Sequence, residues 1–227
     1  MNYNKKQLKP YLDIKAELIP LHVWNKQIKG DERGKTPIHN EWDSKDYKQH
    51  VKQSKQWAEA GYNIGYRIGE RELIIDLDPR NYVDDINSEE LIADLFGFFE
   101  FDDLIWELPV VKTGGGGYHI YCILPDDVDY RMLRKCIENI PGVDFKKKGG
   151  YVVAAGSKHP NGNQYYWENE AERPAVPKEL LALITRDKVA DNDYTSGYGA
   201  FNGTQLQDLI LDKLDVEDME AMTHGNR

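Results

Sequence analysis

The sequence has few of the features that mark secreted, membrane or zinc-binding proteins. Its two cysteines, Cys122 and Cys136, are too few for a disulfide framework or a Cys-x-x-Cys zinc site. No apolar run approaches the roughly 20 residues of a membrane-spanning helix. The first residues also lack the apolar stretch of a signal peptide. These absences predict a cytoplasmic protein with no membrane partner and no zinc.

Positive charge is outnumbered by negative charge, with 29 Lys and Arg against 39 Asp and Glu, and it is unevenly distributed. The formal net charge of −10 argues against a general cationic coat for nucleic acid. Residues 1–70 carry 13 basic and 9 acidic side chains, a net +4, whereas residues 71–110 carry 2 and 12, a net −10. A local basic surface outside the acidic segment is therefore compatible with the composition. The length of 227 residues predicts one large domain, or one domain plus an appendage, with ample chain for a core, and the 40% hydrophobic content is ordinary for a globular protein.

The most informative stretch is the run at residues 73–78. Its apolar residues, flanked by Gly69 and Pro79, predict a buried strand that ends in a turn. Side chains alternate along a strand, so Asp76 and Asp78 would point the same way, about 6–7 Å apart. Paired carboxylates repel each other unless a cation compensates, and oxygen ligands suit Mg²⁺ or Mn²⁺. An ordinary acidic turn after a strand is the alternative.

Hydrophobic periodicity predicts further elements on both sides of this strand. Strands are predicted at residues 18–24, 62–69, 118–123, 143–145, 151–155 and 164–167. Helices are predicted at residues 44–60, 88–99, 130–140 and 177–184. A turn at residues 69–71 would join the strands 62–69 and 73–78 as a hairpin.

Four consecutive glycines, residues 114–117, are followed by His119 at the start of a predicted strand. Glycine loses much backbone entropy in regular structure, so such a run suits close approach of a ligand such as a phosphate. The run is not a Walker loop, because no Lys-Ser/Thr follows it and the next element is a strand. A flexible loop beside a structural histidine is the alternative, although the carboxylates at Asp76 and Asp78 favour a phosphate-binding role.

Asp144 lies between apolar residues in a predicted strand and is a third candidate carboxylate. A charged residue in such a place is rarely left unpaired. It would either bind the cation held by Asp76 and Asp78 or form a salt bridge with one of the lysines 146–148. Three carboxylates around two ions fit two-metal phosphoryl transfer, in which one ion activates the attacking hydroxyl and the other stabilises the leaving group.

The loop at residues 157–159 offers a hydroxyl, an ammonium and an imidazole together, from Ser157, Lys158 and His159. Such groups can bind phosphate oxygens. A solvated hairpin turn is the alternative for the same loop.

Taken together, Asp76-x-Asp78, Gly-Gly-Tyr118-His119 and hydrophobic-Asp144 resemble, in order and spacing, the three motifs of the archaeo-eukaryotic primase superfamily. They are most similar to the primase–polymerase (prim-pol) type of plasmid, phage and mobile-element replication proteins. The resemblance covers roughly residues 15–185 and includes three more segments: Lys35-Thr36-Pro37 with Trp42, residues 61–65, and residues 149–162. It implies an α+β fold, with an N-terminal α/β unit packed on an RNA-recognition-like mixed sheet with flanking helices.

The resemblance also implies roles for particular residues. Asp76, Asp78 and Asp144 would be catalytic and would bind two Mg²⁺ or Mn²⁺ ions. The implied nucleotide-binding residues are His119, Gly117, Ser157, Lys158, His159, Lys35 and Asn63. The family's second motif often has serine two residues before the histidine, whereas Gly117 provides no hydroxyl here. Tyr62 and Tyr66 are further candidates for contacting the sugar.

The expected function is a template-dependent DNA primase/polymerase that joins dNTPs or NTPs on a single-stranded DNA template and primer. The expected domains are a catalytic domain at 1–186, a linker at 187–203 and a short helical tail at 204–227. The tail looks like the opening of a longer C-terminal region, which predicts a helical or helicase region as a partner. Two alternatives are a metal-dependent glycosyltransferase with an Asp-x-Asp site and a non-catalytic replication-initiator module that binds DNA.

Overall fold

A computed structural model of the protein describes residues 5–27, 33–47, 51–83, 87–137 and 140–186. Within these residues the chain forms five α-helices: α1 (Lys5–Asp13), α2 (Val51–Glu59), α3 (Ser88–Leu95), α4 (Phe101–Glu107) and α5 (Lys178–Ile184). The same residues form eight strands: β1 (Leu18–Leu21), β2 (Asn63–Arg67), β3 (Glu72–Leu77), β4 (Val110–Lys112), β5 (Tyr118–Ile123), β6 (Val143–Lys146), β7 (Tyr151–Val153) and β8 (Tyr166–Asn169). Both sets belong to one compact unit, Met1–Thr185. The predicted linker and helical tail lie outside the described residues. No described helix has the length and apolar character needed to cross a membrane.

The strands form two sheets, which confirms the predicted α+β class. The three-stranded sheet has the order β1-β2-β7, and the five-stranded sheet has the order β6-β3-β5-β4-β8. Every pairing between these strands is antiparallel. Among the described residues, parallel pairing is limited to an isolated bridge between Ile123 and Ala175, so the predicted mixed character of the sheet rests on that bridge alone.

Strand β3 lies inside the five-stranded sheet, between β5 and β6. Leu73, Ile75 and Leu77 point to one face and are almost fully buried, as the alternation predicts. Ile74, on the same face as Asp76, is buried as well and belongs to a core cluster that includes residues of β1, β2 and β7. Burying each such side chain contributes about 1.5–3 kcal/mol, so β3 is held firmly from both faces.

The hairpin predicted between the strands before and after Gly69 is wrong. Strand β2 pairs with β1 and β7, whereas β3 pairs with β5 and β6. Because both hydrogen-bonding edges of each strand are occupied by other partners, the two cannot pair with each other. The turn at residues 69–71 instead carries the chain from one sheet to the other.

The helix predicted at residues 130–140 is also wrong. A single 3-10 turn covers Tyr130–Met132, and the Asp129 carboxylate accepts from the Arg131 N–H at 3.0 Å to cap it. Beyond it, Leu133 forms a β-bridge with Thr185 and Cys136 forms one with Asp144. This stretch therefore forms bridges to distant residues and not a helix, although its apolar residues have helical spacing.

Two other helix predictions need new boundaries. Helix α3 ends before Gly97, whose φ of +81° stops the helix, and Phe99, at the end of the predicted helix, is 86% exposed. Ser44 does not begin the helix predicted at 44–60. It lies in a turn, where its hydroxyl accepts from the Asp46 N–H at 3.2 Å, and the described helix is α2.

Candidate active site

Strand register places three polar side chains in one row across the five-stranded sheet. Asp76 of β3 lies opposite Asp144 of β6 on one side and opposite His119 of β5 on the other. Directly opposed residues of antiparallel strands share a face, with Cβ atoms about 4.5–5.5 Å apart. The convergence of Asp76 and Asp144, on which the sequence-based hypothesis depends, is therefore present in the structure. We call these three residues the acidic row.

Basic groups neutralise the carboxylates of the acidic row. The Lys146 ammonium lies 2.6 Å from Asp144 Oδ2 and 3.6 Å from Asp76 Oδ2, so the salt bridge that the sequence offered as an alternative is formed. His119 Nε2 lies 3.4 Å from Asp76 Oδ1. Burial alone would raise the pKa of Asp76, but His119 and Lys146 outweigh it and hold that pKa below its ordinary value. The Asp76 carboxylate is therefore ionised at neutral pH.

Asp78 follows β3 and is held by the turn after it. Its carboxylate accepts from the Arg80 backbone N–H at 3.3 Å and from the Arg80 side chain through Nε at 2.8 Å and Nη2 at 2.7 Å. These hydrogen bonds, and chiefly those of the side chain, lower the pKa of Asp78. Asp78 is thus a fixed, ionised carboxylate next to the acidic row.

A cavity of about 410 Å³ opens beside the acidic row, within the size range of ligand pockets. We call it the basic cavity. The five-stranded sheet contributes Asp76, His119 and Lys146 to its lining, and the three-stranded sheet contributes Tyr151–Val153. Its basic and imidazole side chains are Lys35, Arg80, Lys146, His119 and His159. Several cationic groups beside carboxylates suit a polyphosphate ligand.

A second cavity, of about 310 Å³, is lined by all three carboxylates, Asp76, Asp78 and Asp144. We call it the apolar cavity. None of its described lining residues is Lys or Arg. Apart from the carboxylates and Asn81, the described lining consists of Cys136, Ile137, Ile140, Pro141, Gly142 and Val143. Because Asp76 and Asp78 line both cavities, they lie where two chemically different spaces meet.

The glycine run forms the turn between β4 and β5. The Thr113 N–H donates to the Gly117 carbonyl at 2.8 Å, and the Thr113 hydroxyl accepts from the Gly117 N–H at 2.9 Å. A Cβ on Gly117 would overlap the Leu77 carbonyl oxygen, so only glycine lets this turn lie against the end of β3. Gly115 and Thr113 line the basic cavity. The observed role of Gly117 is thus steric, and its contact with a nucleotide stays a prediction.

Ser157 and Asn63, both predicted to bind nucleotide, are buried and hydrogen-bond to backbone. Ser157 Oγ accepts from the Ile64 N–H at 2.9 Å and donates to the Ile64 carbonyl at 3.2 Å. Asn63 Nδ2 donates to the carbonyls of Gly34 and Lys158 at 2.8 and 2.7 Å, and its Oδ1 accepts from the Lys158 N–H at 2.9 Å. These bonds join β2 to two loops. Neither residue belongs to the described lining of the basic cavity.

Lys35 and His159, by contrast, do line the basic cavity. Desolvation lowers the pKa of His159 below its ordinary value, so its imidazole is mostly neutral at pH 7. The Lys158 ammonium lies over the Trp24 ring, 5.4 Å from its centroid, and is not part of the described lining. The structure thus brings His119, Lys35 and His159 to the carboxylates.

The tyrosines proposed to contact the sugar are not in the described lining of the basic cavity. Tyr66 is 1% exposed, and its hydroxyl accepts from Arg173 Nη1 at 2.8 Å within the core. Tyr165 does line the cavity, and so does an aromatic pair, Trp42 and Tyr151, which pack edge-to-face with centroids 4.8 Å apart. Sequence reasoning placed both in segments that resemble the family but did not assign them to the site.

Sequence reasoning named Lys146 only as one of three possible salt-bridge partners of Asp144, and it missed Arg80. A signal for Lys146 was available, because a residue two positions after Asp144 shares its face of the strand. Arg80 has no such signal, since hydrogen bonding within a turn depends on backbone angles that spacing does not reveal.

The fit of the site to divalent ions can be judged from its donors. No three His, Cys, Asp or Glu side chains among the described residues surround a common point suited to a metal ion as they stand. The donor chemistry nevertheless fits Mg²⁺ or Mn²⁺, since carboxylate oxygens are the ligands these ions prefer. The Lys146 ammonium, shared by Asp76 and Asp144, marks a point where these carboxylates already hold one positive charge. Binding a metal ion there requires that Lys146 move.

Comparison with known proteins adds one positive result. No curated protein matches the chain. One family model matches residues 9–179, well over half of the 227 residues, and this range contains all the residues of both cavities. The chain belongs to the Prim-Pol family, described as bifunctional DNA primase/polymerase, N-terminal.

Proposed function

We propose that the chain is a template-dependent nucleotidyltransferase that joins dNTPs or NTPs on single-stranded DNA and uses two Mg²⁺ or Mn²⁺ ions. Family membership supports the general function of a DNA primase/polymerase. The observation that carries the finer proposal is the acidic row, which lies where the basic and apolar cavities meet.

The basic cavity suits the incoming nucleotide. Lys35 and Arg80 would neutralise phosphate charge, and the glycine turn offers backbone at close range. The Trp42 and Tyr151 rings present an aromatic wall for the base or the sugar. His119 Nδ1 is buried and has no hydrogen-bond partner among the described residues, which leaves this ring nitrogen to a water or a ligand atom.

The apolar cavity suits the end of the growing strand. A primer terminus presents a sugar and a 3′-hydroxyl, and its described lining combines apolar side chains with the three carboxylates. A hydroxyl placed there would face a triphosphate across Asp76 and Asp78. Such placement turns a reaction between two molecules into a pre-oriented one, which supplies much of the rate enhancement.

The protein's part in the chemistry is positioning and charge. Bound divalent ions would supply activation of the hydroxyl and stabilisation of the charge on the departing pyrophosphate. Asp76 is suited to hold such ions in place because β3 is paired on both sides and packed on both faces. Asp78 is fixed by its turn, and Asp144 by β6.

The glycosyltransferase alternative is less well supported. It gives Asp76 and Asp78 a role but none to Asp144, which the structure places directly opposite Asp76. A DNA-binding module without catalysis would have no need of carboxylates shared by two cavities. The proposed helical or helicase partner region beyond residue 186 stays a prediction.

The test is a primer-extension and de novo synthesis assay on single-stranded DNA, with Mg²⁺ or Mn²⁺ and with either dNTPs or NTPs. Metal-dependent incorporation with release of pyrophosphate is the expected result. Tight binding of single-stranded DNA without incorporation in any combination would point to the non-catalytic module. Transfer of a labelled sugar from a nucleotide-sugar would point to the glycosyltransferase.

A further inference from the structure

Of the three consecutive lysines at residues 146–148, one is directed into the site and two are not. Lys146 reaches Asp144 and Asp76. Lys147 donates to the Leu133 carbonyl, and Lys148 pairs with Glu70 at the surface. The three lysines therefore do not form a uniform solvated patch, because Lys146 pairs with the carboxylates of the site.

The position of Lys146 is set by strand geometry. It is the last residue of β6 and lies opposite Ile74, on the same face as Asp144 and diagonal to Asp76. Its side chain is 33% exposed, compared with 57% for the Arg80 side chain that pairs with Asp78. A half-buried charge pair is screened less by water and salt than an exposed one. Lys146 is therefore the less exposed of the two cations, and it is shared by two carboxylates.

We propose that Lys146 is a built-in counterion that holds Asp76 and Asp144 together in the metal-free protein and is displaced toward the basic cavity when a divalent ion binds. This inference rests on the proposed function, since it needs a metal ion at these carboxylates. An ammonium and a divalent ion repel each other and compete for the same oxygens. Metal binding therefore requires that the Lys146 salt bridges break, which lowers the affinity for the metal ion. In the metal-free protein the same salt bridges keep Asp76 and Asp144 in place.

Displacement from the carboxylates would bring Lys146 to the nucleotide. Its side chain already lines the basic cavity. Once released from the carboxylates, the ammonium would face the phosphates of a bound nucleotide there. The same residue thus stabilises the empty site and then contacts the substrate, which makes it a positioning residue for metal and nucleotide together.

Manganese titration of metal-free protein by calorimetry tests the competition. Lys146→Met keeps the apolar stem and removes the charge, and Lys148→Met is the matched control on the neighbouring surface pair. We expect Lys146→Met to bind Mn²⁺ roughly tenfold tighter than wild type, the factor set by losing one charge-assisted hydrogen bond. Lys148→Met should bind as wild type does, and Lys146→Arg, which keeps the charge, should stay close to wild type.

The outcomes separate this inference from the proposed function. Mn²⁺ binding of equal or lower affinity in Lys146→Met would overturn the counterion role while leaving metal-dependent synthesis intact. Absence of Mn²⁺ binding in both wild type and Lys146→Met would overturn the inference and also the metal part of the proposed function.

A measurement on the wild-type protein covers the case in which Lys146→Met does not fold. Amine-reactive labelling read by mass spectrometry reports how accessible each lysine is. Labelling of Lys146 should be slow in chelator and several-fold faster with Mg²⁺, whereas labelling of Lys148 should not change. A Lys146 rate that does not respond to the metal would contradict its displacement.

Discussion

The acidic row and the loop at residues 157–159 both border the basic cavity, but they use their polar side chains differently. In the row, Asp144, Asp76 and His119 lie side by side on adjacent strands, and Asp76 contacts His119 directly. In the loop, Ser157 serves the backbone of β2, and His159 alone of the three residues lines the cavity. The side chains of the row point away from the ladder and remain available to the cavity, whereas the Ser157 hydroxyl is occupied by the N–H and carbonyl of Ile64 in β2.

The largest effect should come from the acidic row. Asp76→Asn or Asp144→Asn keeps the side-chain shape but removes a charge that the reaction needs. We expect nucleotide incorporation to fall by at least about a thousandfold, corresponding to about 4 kcal/mol in the barrier. The variants should remain folded by circular dichroism. Asp103→Asn, on the exposed side of α4, is the control and should retain activity; near-normal synthesis by either site variant would refute the assignment.

The glycine turn that supports the row gives the next effect. Gly117→Ala would force a Cβ against the Leu77 carbonyl, and we expect a loss of about 2–4 kcal/mol in the free energy of unfolding. A Cβ on Gly115 would meet the His159 ring at 3.6 Å and the Thr113 hydroxyl at 3.8 Å, both ordinary van der Waals contacts, so Gly115→Ala should cost about 1 kcal/mol or less. Urea denaturation of both variants measures this difference. Equal stability of the Gly117→Ala and Gly115→Ala variants would show that the glycine turn is not in close contact with the end of β3.

Asn63 has a structural role, since its side chain hydrogen-bonds to the backbone of Gly34 and Lys158. Asn63→Ala removes three hydrogen bonds and leaves buried backbone groups unpaired, so we expect a loss of about 2–3 kcal/mol in stability. Asn169→Ala, which removes one exposed hydrogen bond to the Trp106 carbonyl, should cost about 1 kcal/mol or less. Denaturation curves compare the two. An Asn63→Ala protein of wild-type stability with weakened nucleotide binding would instead place Asn63 among the binding residues.

The smallest effect distinguishes the two loop residues beside Ser157. His159→Ala removes a side chain that lines the basic cavity, so we expect nucleotide binding to weaken by about five- to tenfold. This loss corresponds to about 1–1.4 kcal/mol of binding free energy. Lys158→Ala should change it by less than about twofold, because the Lys158 ammonium lies over Trp24. Fluorescence titration with a labelled nucleotide measures both. A larger effect at Lys158 than at His159 would reverse this assignment of the loop.

The sequence predicted β3, β5 and β6 closely, and failed where pairing partners decide. Period-two alternation is a local property, so Leu73, Ile75 and Leu77 indicated a buried strand directly. The apolar spacing near Leu133 and Cys136 resembled a helix, because nothing local reveals that these residues bridge to Thr185 and Asp144. Likewise, the turn after Gly69 looked like a hairpin because the competing partners of β2 and β3 lie far away in the sequence.

The amino-acid sequence by itself determined the buried strand that carries Asp76 and the motif residues Asp78, His119 and Asp144, because residue type and alternation are local. The α+β class was implied by the family resemblance that these motifs carry. Tertiary structure alone decided which side chains meet. Strand register set Asp144 and His119 on either side of Asp76, brought Lys146 onto the carboxylates, and directed Ser157 and Asn63 to the backbone. Such contacts depend on pairing between distant segments and on which backbone groups would otherwise be left unsatisfied.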